Sequence, residues 1–235
     1  MVGAASRVLE RKRFSSLFID EAAQAIEAAC WIAISRADRV ILAGDHCQLP
    51  PTIKCIEAAR GGLGRTLLEK VVLHKPETVS LLKIQYRMHE DIMRFPSRWF
   101  YHDELEAAPE VKNYMERIGI RRILEEHIDF GVISPYRAQV HYLRHLLKKE
   151  PFFRPCRRLI TVHTVDGFQG QERDVIMISL VRANEKGQIG FLRDLRRMNV
   201  AITRARMKLL ILGEAVTLTR HPFYRELYEY IGGLR

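Results

Sequence analysis

Short apolar runs that each end in a polar cluster, and are each followed by a helical stretch, constrain this chain more than any other feature. Ser16–Asp20 (SLFID) reads as a buried strand, and Arg39–Ala43 (RVILA) as a second. Ser80–Ile84, Asp129–Ser134, Leu159–Val162, Asp174–Leu180 and Lys208–Leu212 read the same way. Between them, Ala22–Ser35, Arg65–Leu73, Arg137–Lys149 and Leu195–Arg206 read as helices, and Pro222–Tyr230 as a closing helix. Strands alternating with helices predict an α/β fold with parallel sheets flanked by helices. The change of character after the Pro50–Pro76 region predicts two domains, 1–77 and 78–235.

In open parallel sheets, ligands bind outside the carboxyl ends of the strands, so the polar clusters there are the candidate site. Leu17-Phe18-Ile19-Asp20-Glu21 delivers two adjacent carboxylates. One can hold magnesium, which prefers hard oxygen ligands, and the next can orient or deprotonate a water. Gly44-Asp45-His46-Cys47-Gln48-Leu49-Pro50-Pro51-Thr52 follows the second strand. The proline pair stiffens that loop, and Gln48 is an uncharged donor and acceptor suited to sensing a phosphate and a water together. Gln85-Tyr86-Arg87-Met88-His89 forms a third cluster. Thr161 to Asp174 sets Thr, Asp, Gly, Gln and Glu between two strands, and its glycines allow close backbone approach. Finally, Arg196, Arg197, Arg204 and Arg206 crowd one short helix, and Arg is the usual stabiliser of charge on a transferring phosphoryl group.

Charge points the same way. Lys and Arg number 38 against 28 Asp and Glu, a net charge of +10, which favours a polyanionic partner. No apolar run approaches the roughly 18 residues of a membrane span, so no membrane role is expected. Cys30, Cys47, Cys55 and Cys156 form no CxxC pair and no metal-ligand spacing, as expected of free thiols in the reducing cytoplasm or nucleus.

Taken together and in this order, the clusters resemble the superfamily 1 helicases, and within them the up-frameshift-like RNA/DNA helicase group. FIDEAAQ (residues 18–24) looks like motif II, GDHCQLPPT (44–52) like motif III and QYRMH (85–89) like motif IV. SPYRAQV (134–140) looks like the following nucleic-acid motif, TVDGFQGQERDVIMISLVR (164–182) like motif V and NVAITRAR (199–206) like motif VI. The resemblance implies RecA-like parallel sheets, comprising part of a first domain and most of a second. It implies ATP and magnesium as cofactors and single-stranded RNA or DNA as partner. By position, Asp20 would ligate magnesium, Glu21 would activate the attacking water and Gln48 would contact the γ-phosphate. Arg87 and Arg204 would be arginine fingers. Gly170, Glu172 and Tyr86 would contact the nucleotide. Pro50, Thr52, Ser134, Tyr136, Arg137, Thr161 and Thr164 would face the strand.

Two departures qualify these expectations. The family's phosphate loop, GxxxxGK[ST], precedes motif II, whereas the 19 residues before Asp20 contain no Gly-Lys-Thr. The nearest look-alike, Arg60-Gly61-Gly62-Leu63-Gly64-Arg65-Thr66, has Arg for Lys, Ala59 for the first Gly and the wrong order, and reads as the loop before a helix. Also, Glu110–Asn113 runs straight into Tyr114–Glu116, where the family has a strand and much of a helix. Two readings stay open. One is the C-terminal part of an ATP-dependent helicase, inactive alone and partnered by its N-terminal part or an accessory protein. The other is a non-catalytic nucleic-acid or partner-binding module of helicase descent.

Overall fold

The computed structural model describes residues 12–112 and 128–234, in two compact units, Met1–Leu81 and Leu82–Arg235. The second sequence departure, at residues 113–116, lies outside the described residues.

In the first unit, β1 (Leu17–Ile19) pairs in parallel with β2 (Val40–Leu42), with Leu17 opposite Val40 and Ile19 opposite Leu42. The crossover is a 3-10 turn, Ala22–Gln24, and then α1 (Glu27–Ile34). The continuous helix expected over Ala22–Ser35 is broken at Ala25 and Ile26, which are extended, with ψ of 124° and 129°. The turn's backbone is needed elsewhere: the Ala22 N–H donates to the Ala43 carbonyl at 2.8 Å, outside any helix. The helices α2 (Ile56–Arg60) and α3 (Leu67–His74) complete the unit. Ile19, Ala22, Ala23, Ala25, Cys30 and Leu68 form its core. Lys70 of α3 bonds Glu27 of α1 at 2.5 Å, and this contact, above all others, holds the Glu27 carboxyl below its usual range. The glycine-rich look-alike turns into α3, and Thr66 caps that helix. Thr66 Oγ1 accepts from the Glu69 N–H at 3.1 Å, and Glu69 Oε2 accepts from the Thr66 N–H at 2.9 Å. Phe18 is 71% exposed and Trp31 53%, leaving apolar surface uncovered on this unit.

In the second unit, β3 (Ile84–Gln85) pairs in parallel with β4 (Glu106–Ala107). Only Ile84 and Gln85 enter a ladder, not the expected Ser80–Ile84, and Leu82 is too exposed, at 87%, for a buried strand. Next come α4 (Glu90–Phe100), α5 (Pro109–Lys112), β5 (Phe130–Ile133), α6 (Arg137–Lys149), β6 (Ile160–His163), β7 (Arg173–Ser179) and α7 (Leu195–Ile202). The chain closes with β8 (Ala205–Leu212), α8 (Ala215–Leu218) and α9 (Pro222–Gly233). The main sheet runs β6-β5-β7-β8, all parallel, as the α/β reading requires. Its middle strands bury Ile133, Val175, Ile176 and Ile178 on both faces. The sequence pattern missed α4 because Pro96 lies inside it. Tertiary packing compensates: Phe95 and Trp99 meet Phe223 edge-on at 5.2 and 5.0 Å between ring centroids. Conversely, α7 stops at Ile202 instead of running to Arg206, because Ala205 and Arg206 belong to β8.

Candidate functional site

The two carboxylates leave β1 where the backbone turns sharply. Glu21 sits in the left-handed region, φ 50° and ψ 39°, a conformation costly for a residue with a side chain. It is held there by the clamp between Ala22 and Ala43 and by the Gln24 amide, which donates to Glu21 Oε2 at 2.6 Å. The Asp20 Oδ1 accepts the Glu21 N–H at 2.9 Å. Both side chains are exposed. Two hard, exposed carboxylates on adjacent residues are a donor set that fits a magnesium ion.

Beside them, at the end of β2, Gly44 runs close under the same turn. A Cβ at Gly44 would lie 3.0 Å from both the Ala22 and Ala23 backbone nitrogens, so a side chain there would press the two loops apart. The next residues form a tight turn around one carboxylate. Asp45 Oδ1 accepts the Cys47 N–H at 2.9 Å, and Asp45 Oδ2 accepts the Gln48 amide at 2.8 Å. Gln48 is therefore oriented through Asp45, a role the sequence reading did not separate from the loop's stiffness. The polar atoms of Asp45, His46 and Cys47 lie within 4.8 Å of one another, a clustering that the turn's own hydrogen bonds impose. Pro50 is half-buried and Thr52 exposed.

In the second unit, the Tyr86–Met88 loop is organised by a residue that sequence reasoning assigned no role. The Gln85 side-chain oxygen accepts from the Arg87 and Met88 N–H groups at 2.9 and 2.7 Å, and its amide nitrogen donates to the Met88 carbonyl at 2.8 Å. Caged this way, the loop projects Tyr86, 68% exposed, and Arg87 from a fixed backbone. A glutamine two residues before a candidate arginine, ending a strand, was the available signal. The His89 N–H anchors the loop's far end to the Arg206 carbonyl at 2.8 Å. That carbonyl is available because the β7–β8 register shifts between Arg173 and Val175, leaving an extra residue on β8.

The same shift aims the Arg206 side chain. It reaches Asp174 Oδ1 at 3.4 Å and Glu172 Oε1 at 3.8 Å. Glu172 in turn accepts from Arg87 Nε at 2.5 Å, and Arg87 also donates to the Thr203 carbonyl at 3.3 Å. Glu172 and Arg87, assigned separate nucleotide contacts from the sequence, thus hold each other. Asp174 and Asp129 exchange backbone-to-carboxylate hydrogen bonds, at 2.7 and 3.1 Å. Burial pushes the Asp174 carboxyl above its ordinary range; the hydrogen bond from the Asp129 N–H and the nearby Arg206 oppose this, and the Asp129 carboxylate adds to it.

Arg204 is not a solvated helix charge. It is 3% exposed, and its guanidinium donates to the Val200 carbonyl at 3.0 Å, the Gln171 carbonyl at 3.4 Å and Thr203 Oγ1 at 3.2 Å. Gly170, with φ +73°, stands in open space where nothing meets its Cβ position within 4 Å, so its backbone is approachable.

The residues expected to face a strand divide by burial. Ser134 is fully buried and caps the turn, its Oγ accepting the Tyr136 N–H at 3.4 Å. The Tyr136 hydroxyl accepts from Arg182 Nε at 2.8 Å, while Arg137 is exposed. Thr161 Oγ1 is bonded by Arg173 at 3.3 Å, and Thr164 Oγ1 by the Gly167 N–H at 3.4 Å. Among the described residues, no helix is long and apolar enough to cross a membrane.

Residues 63–127 and 119–216 match the model of a family described as an AAA domain, and residues 1–55 match a second family of the same description. The chain is 34% identical over 275 positions to DNA-binding protein SMUBP-2 of Mesocricetus auratus, covering 95% of this chain and 27% of that protein. It is 36% identical to an ATP-dependent helicase of Methanocaldococcus jannaschii, MJ0104, covering 97% and 40%. It is 31% identical to the Drosophila melanogaster homolog of regulator of nonsense transcripts 1, covering 97% and 23%. The chain therefore spans about a quarter to two fifths of the length of these relatives. The alignments run over 274 to 276 positions, more than the chain's 235 residues, so the relatives carry residues without a counterpart here. The two matches to the first family meet at 119–127, a few residues beyond the break read at 113–116.

Proposed function

This chain belongs to the AAA-domain family, as the C-terminal portion of a superfamily 1 helicase of the up-frameshift-like group, and we propose that it supplies most of the moving parts of an ATP-driven motor on single-stranded RNA or DNA. The observation that carries this reading is the joined pair of loops at the ends of β1 and β2, where the Asp20–Glu21 turn is clamped against the Gly44–Gln48 turn. That contact supports the reading, because phosphoryl transfer needs carboxylates and a polar amide held on neighbouring loops.

In this reading, Asp20 holds magnesium, which when bound screens the phosphate charge. Glu21 orients the attacking water and takes its proton. Gln48, held by Asp45, reports the γ-phosphate to the strand-facing loop with Pro50 and Thr52. Arg87 and Arg204 stabilise charge on the transferring phosphoryl group, while Tyr86, Gly170 and Glu172 contact the nucleotide. Ser134, Tyr136, Arg137, Thr161 and Thr164 line or support the path of the strand. The domains of this motor are 1–77 and 78–235. The exposed Phe18 and Trp31 support a covering partner, the N-terminal helicase part or an accessory protein.

The 235 residues contain no Gly-Lys-Ser/Thr loop to hold the β- and γ-phosphates, and phosphoryl transfer is mostly positioning plus electrostatics. The chain alone is therefore inactive. The test is phosphate release with excess single strand, on this chain and on a longer version bearing a phosphate loop, with Glu21→Gln as the blank. Expected is no turnover above the blank for the chain, and turnover in the longer version that Glu21→Gln abolishes. A longer version that binds the strand yet does not hydrolyse ATP would favour a non-catalytic binding module. Turnover by the chain alone would overturn the assigned role of the phosphate loop.

A further inference from the structure

The helix α6 carries a pattern that none of the helicase motifs explains. Only its first turn, Arg137–Val140, lies within one. Val140 is buried, and Leu143, Leu146 and Leu147 are half-buried, so the core face is defined. On the solvent face, Arg137, His141, Arg144 and Lys148 recur at i, i+4, i+7 and i+11, one stripe along a helix of 13 residues. At about 1.5 Å per residue, the stripe extends about 20 Å from the strand-facing loop at Tyr136.

The stripe does not end with the helix. Lys149 at the end of the helix and Arg154 and Arg158 just beyond it are exposed, and Glu150 is the one carboxylate between Tyr136 and Leu159. Among the described residues, no carboxylate pairs with Lys148, Lys149, Arg154 or Arg158. The remaining cations are fixed by backbone rather than by acids. Arg144 Nε donates to the Val162 carbonyl at 2.9 Å, and Arg157 to the Leu147 and Lys148 carbonyls at 2.9 and 2.6 Å. These bonds wall an open groove of about 460 Å³ between the end of α6 and the edge strand β6, lined by the cations Arg144, Lys148 and Arg157 and by the apolar Leu147, Ile160 and Val162. One aromatic side chain stands exposed just after the helix, Phe152 at 68% exposure, whereas Tyr142, 56% exposed, lies on the other exposed flank of α6.

Cations without acidic partners among the described residues, with the exposed Phe152 ring beside them, form the kind of surface that single-stranded nucleic acid uses: phosphates on the cations, a base stacked on the ring. A protein partner would need a matching acidic face, and the ring gives that no advantage. We infer that the outer face of α6, with the 151–158 segment after it, is an extension of the strand path that holds nucleic acid leaving the Tyr136–Arg137 loop. This rests on the strand-binding reading above.

The test uses the full 235-residue chain and single strands of about 8 and about 30 nucleotides, the shorter being within one binding site of ordinary size. Affinity is measured by fluorescence anisotropy between about 50 and 200 mM salt. The variant Lys148→Glu/Lys149→Glu/Arg158→Glu removes exposed charge outside the motifs, and a neutral triple Gln variant guards against repulsion or misfolding by the reversal. The expected result is a loss of at least about tenfold on the long strand, a salt slope shallower by about 2, from three phosphate contacts at about 0.7 each, and an unchanged short strand. Phe152→Ala should weaken the long strand several-fold with the slope unchanged. Equal loss on both lengths, or none on either, overturns the extension while leaving strand binding intact. Binding of polyglutamate as tightly as the long strand would reassign the face to an acidic protein. A wild-type chain that binds neither strand at low salt overturns both readings.

Discussion

Arg87 and Glu172 lie 85 positions apart in sequence and meet at 2.5 Å, Nε to Oε2, with Arg206 closing on the other carboxylate oxygen at 3.8 Å. The carboxylate fixes the direction of a candidate finger whose backbone is already caged by Gln85. With side chains 35% and 43% exposed, the pair is screened by solvent, and its effect is on orientation more than stability. Arg87→Ala and Glu172→Ala should be non-additive in urea unfolding, with a coupling of no more than about 1 kcal/mol. Strict additivity would mean that the pair does not persist in solution.

Arg204→Ala should destabilise the chain as well as slow any turnover. The side chain is buried and donates to the Val200 and Gln171 carbonyls, so truncation leaves acceptors without their donor at a cost of about 1–3 kcal/mol. Thermal unfolding of the variant checks this, and kinetic loss is attributable to a finger only at temperatures where the variant is fully folded. A melting temperature equal to wild type would show that the buried hydrogen bonds are not formed.

Thr66→Ala should cost about 1–2 kcal/mol by removing one half of the capping box of α3, while leaving nucleotide affinity untouched. The measurement is a chemical-denaturation midpoint together with nucleotide titration. Loss of nucleotide binding at full stability would return the Arg60–Thr66 segment to the list of phosphate loops.

Gly44→Ala should destabilise the first unit by about 1–3 kcal/mol, since the added methyl meets two backbone nitrogens at 3.0 Å and the loops must shift apart to admit it. In the longer, phosphate-loop version the same change should lower turnover by shifting the Gly44–Gln48 loop. Stability and turnover both equal to wild type would mean that the loops do not touch.

Asp174 sets a pH dependence of known sign. Its carboxyl is raised by burial, with Asp129 beside it and Arg206 opposing, so the folded chain binds this proton more tightly than the unfolded chain. The resulting stabilisation is fully present below the ordinary value of 3.8 and is lost as pH rises through the raised value. Asp174→Asn, which keeps an acceptor for the Asp129 N–H, should therefore gain in urea midpoint relative to wild type as pH rises from about 3 to 7. A difference that is flat or shrinks over that range contradicts the assignment.

Local patterns along the chain determined the α/β class, the parallel strands and the order of the polar clusters, because strand and helix periodicities and loop residues act over a few neighbours. Arg137–Lys149 is helical over the very span that its periodicity predicts. Elements whose ends depend on distant partners were not legible. Helix α4 runs through Pro96 because Phe95 and Trp99 pack on Phe223, and α7 yields Ala205 to β8 because a sheet edge pairs with it. Likewise, residue types and order marked Arg87 and Arg204 as candidate fingers, Glu172 as a separate nucleotide contact and Arg206 only as one of an arginine cluster. Their pairing, the burial of Arg204 and the shifted β8 register that frees the Arg206 carbonyl for His89 were decided by tertiary structure alone. A hydrogen-bond direction or a buried charge depends on atoms brought together across scores of residues, and no local pattern encodes which of several arginines a given carboxylate will meet.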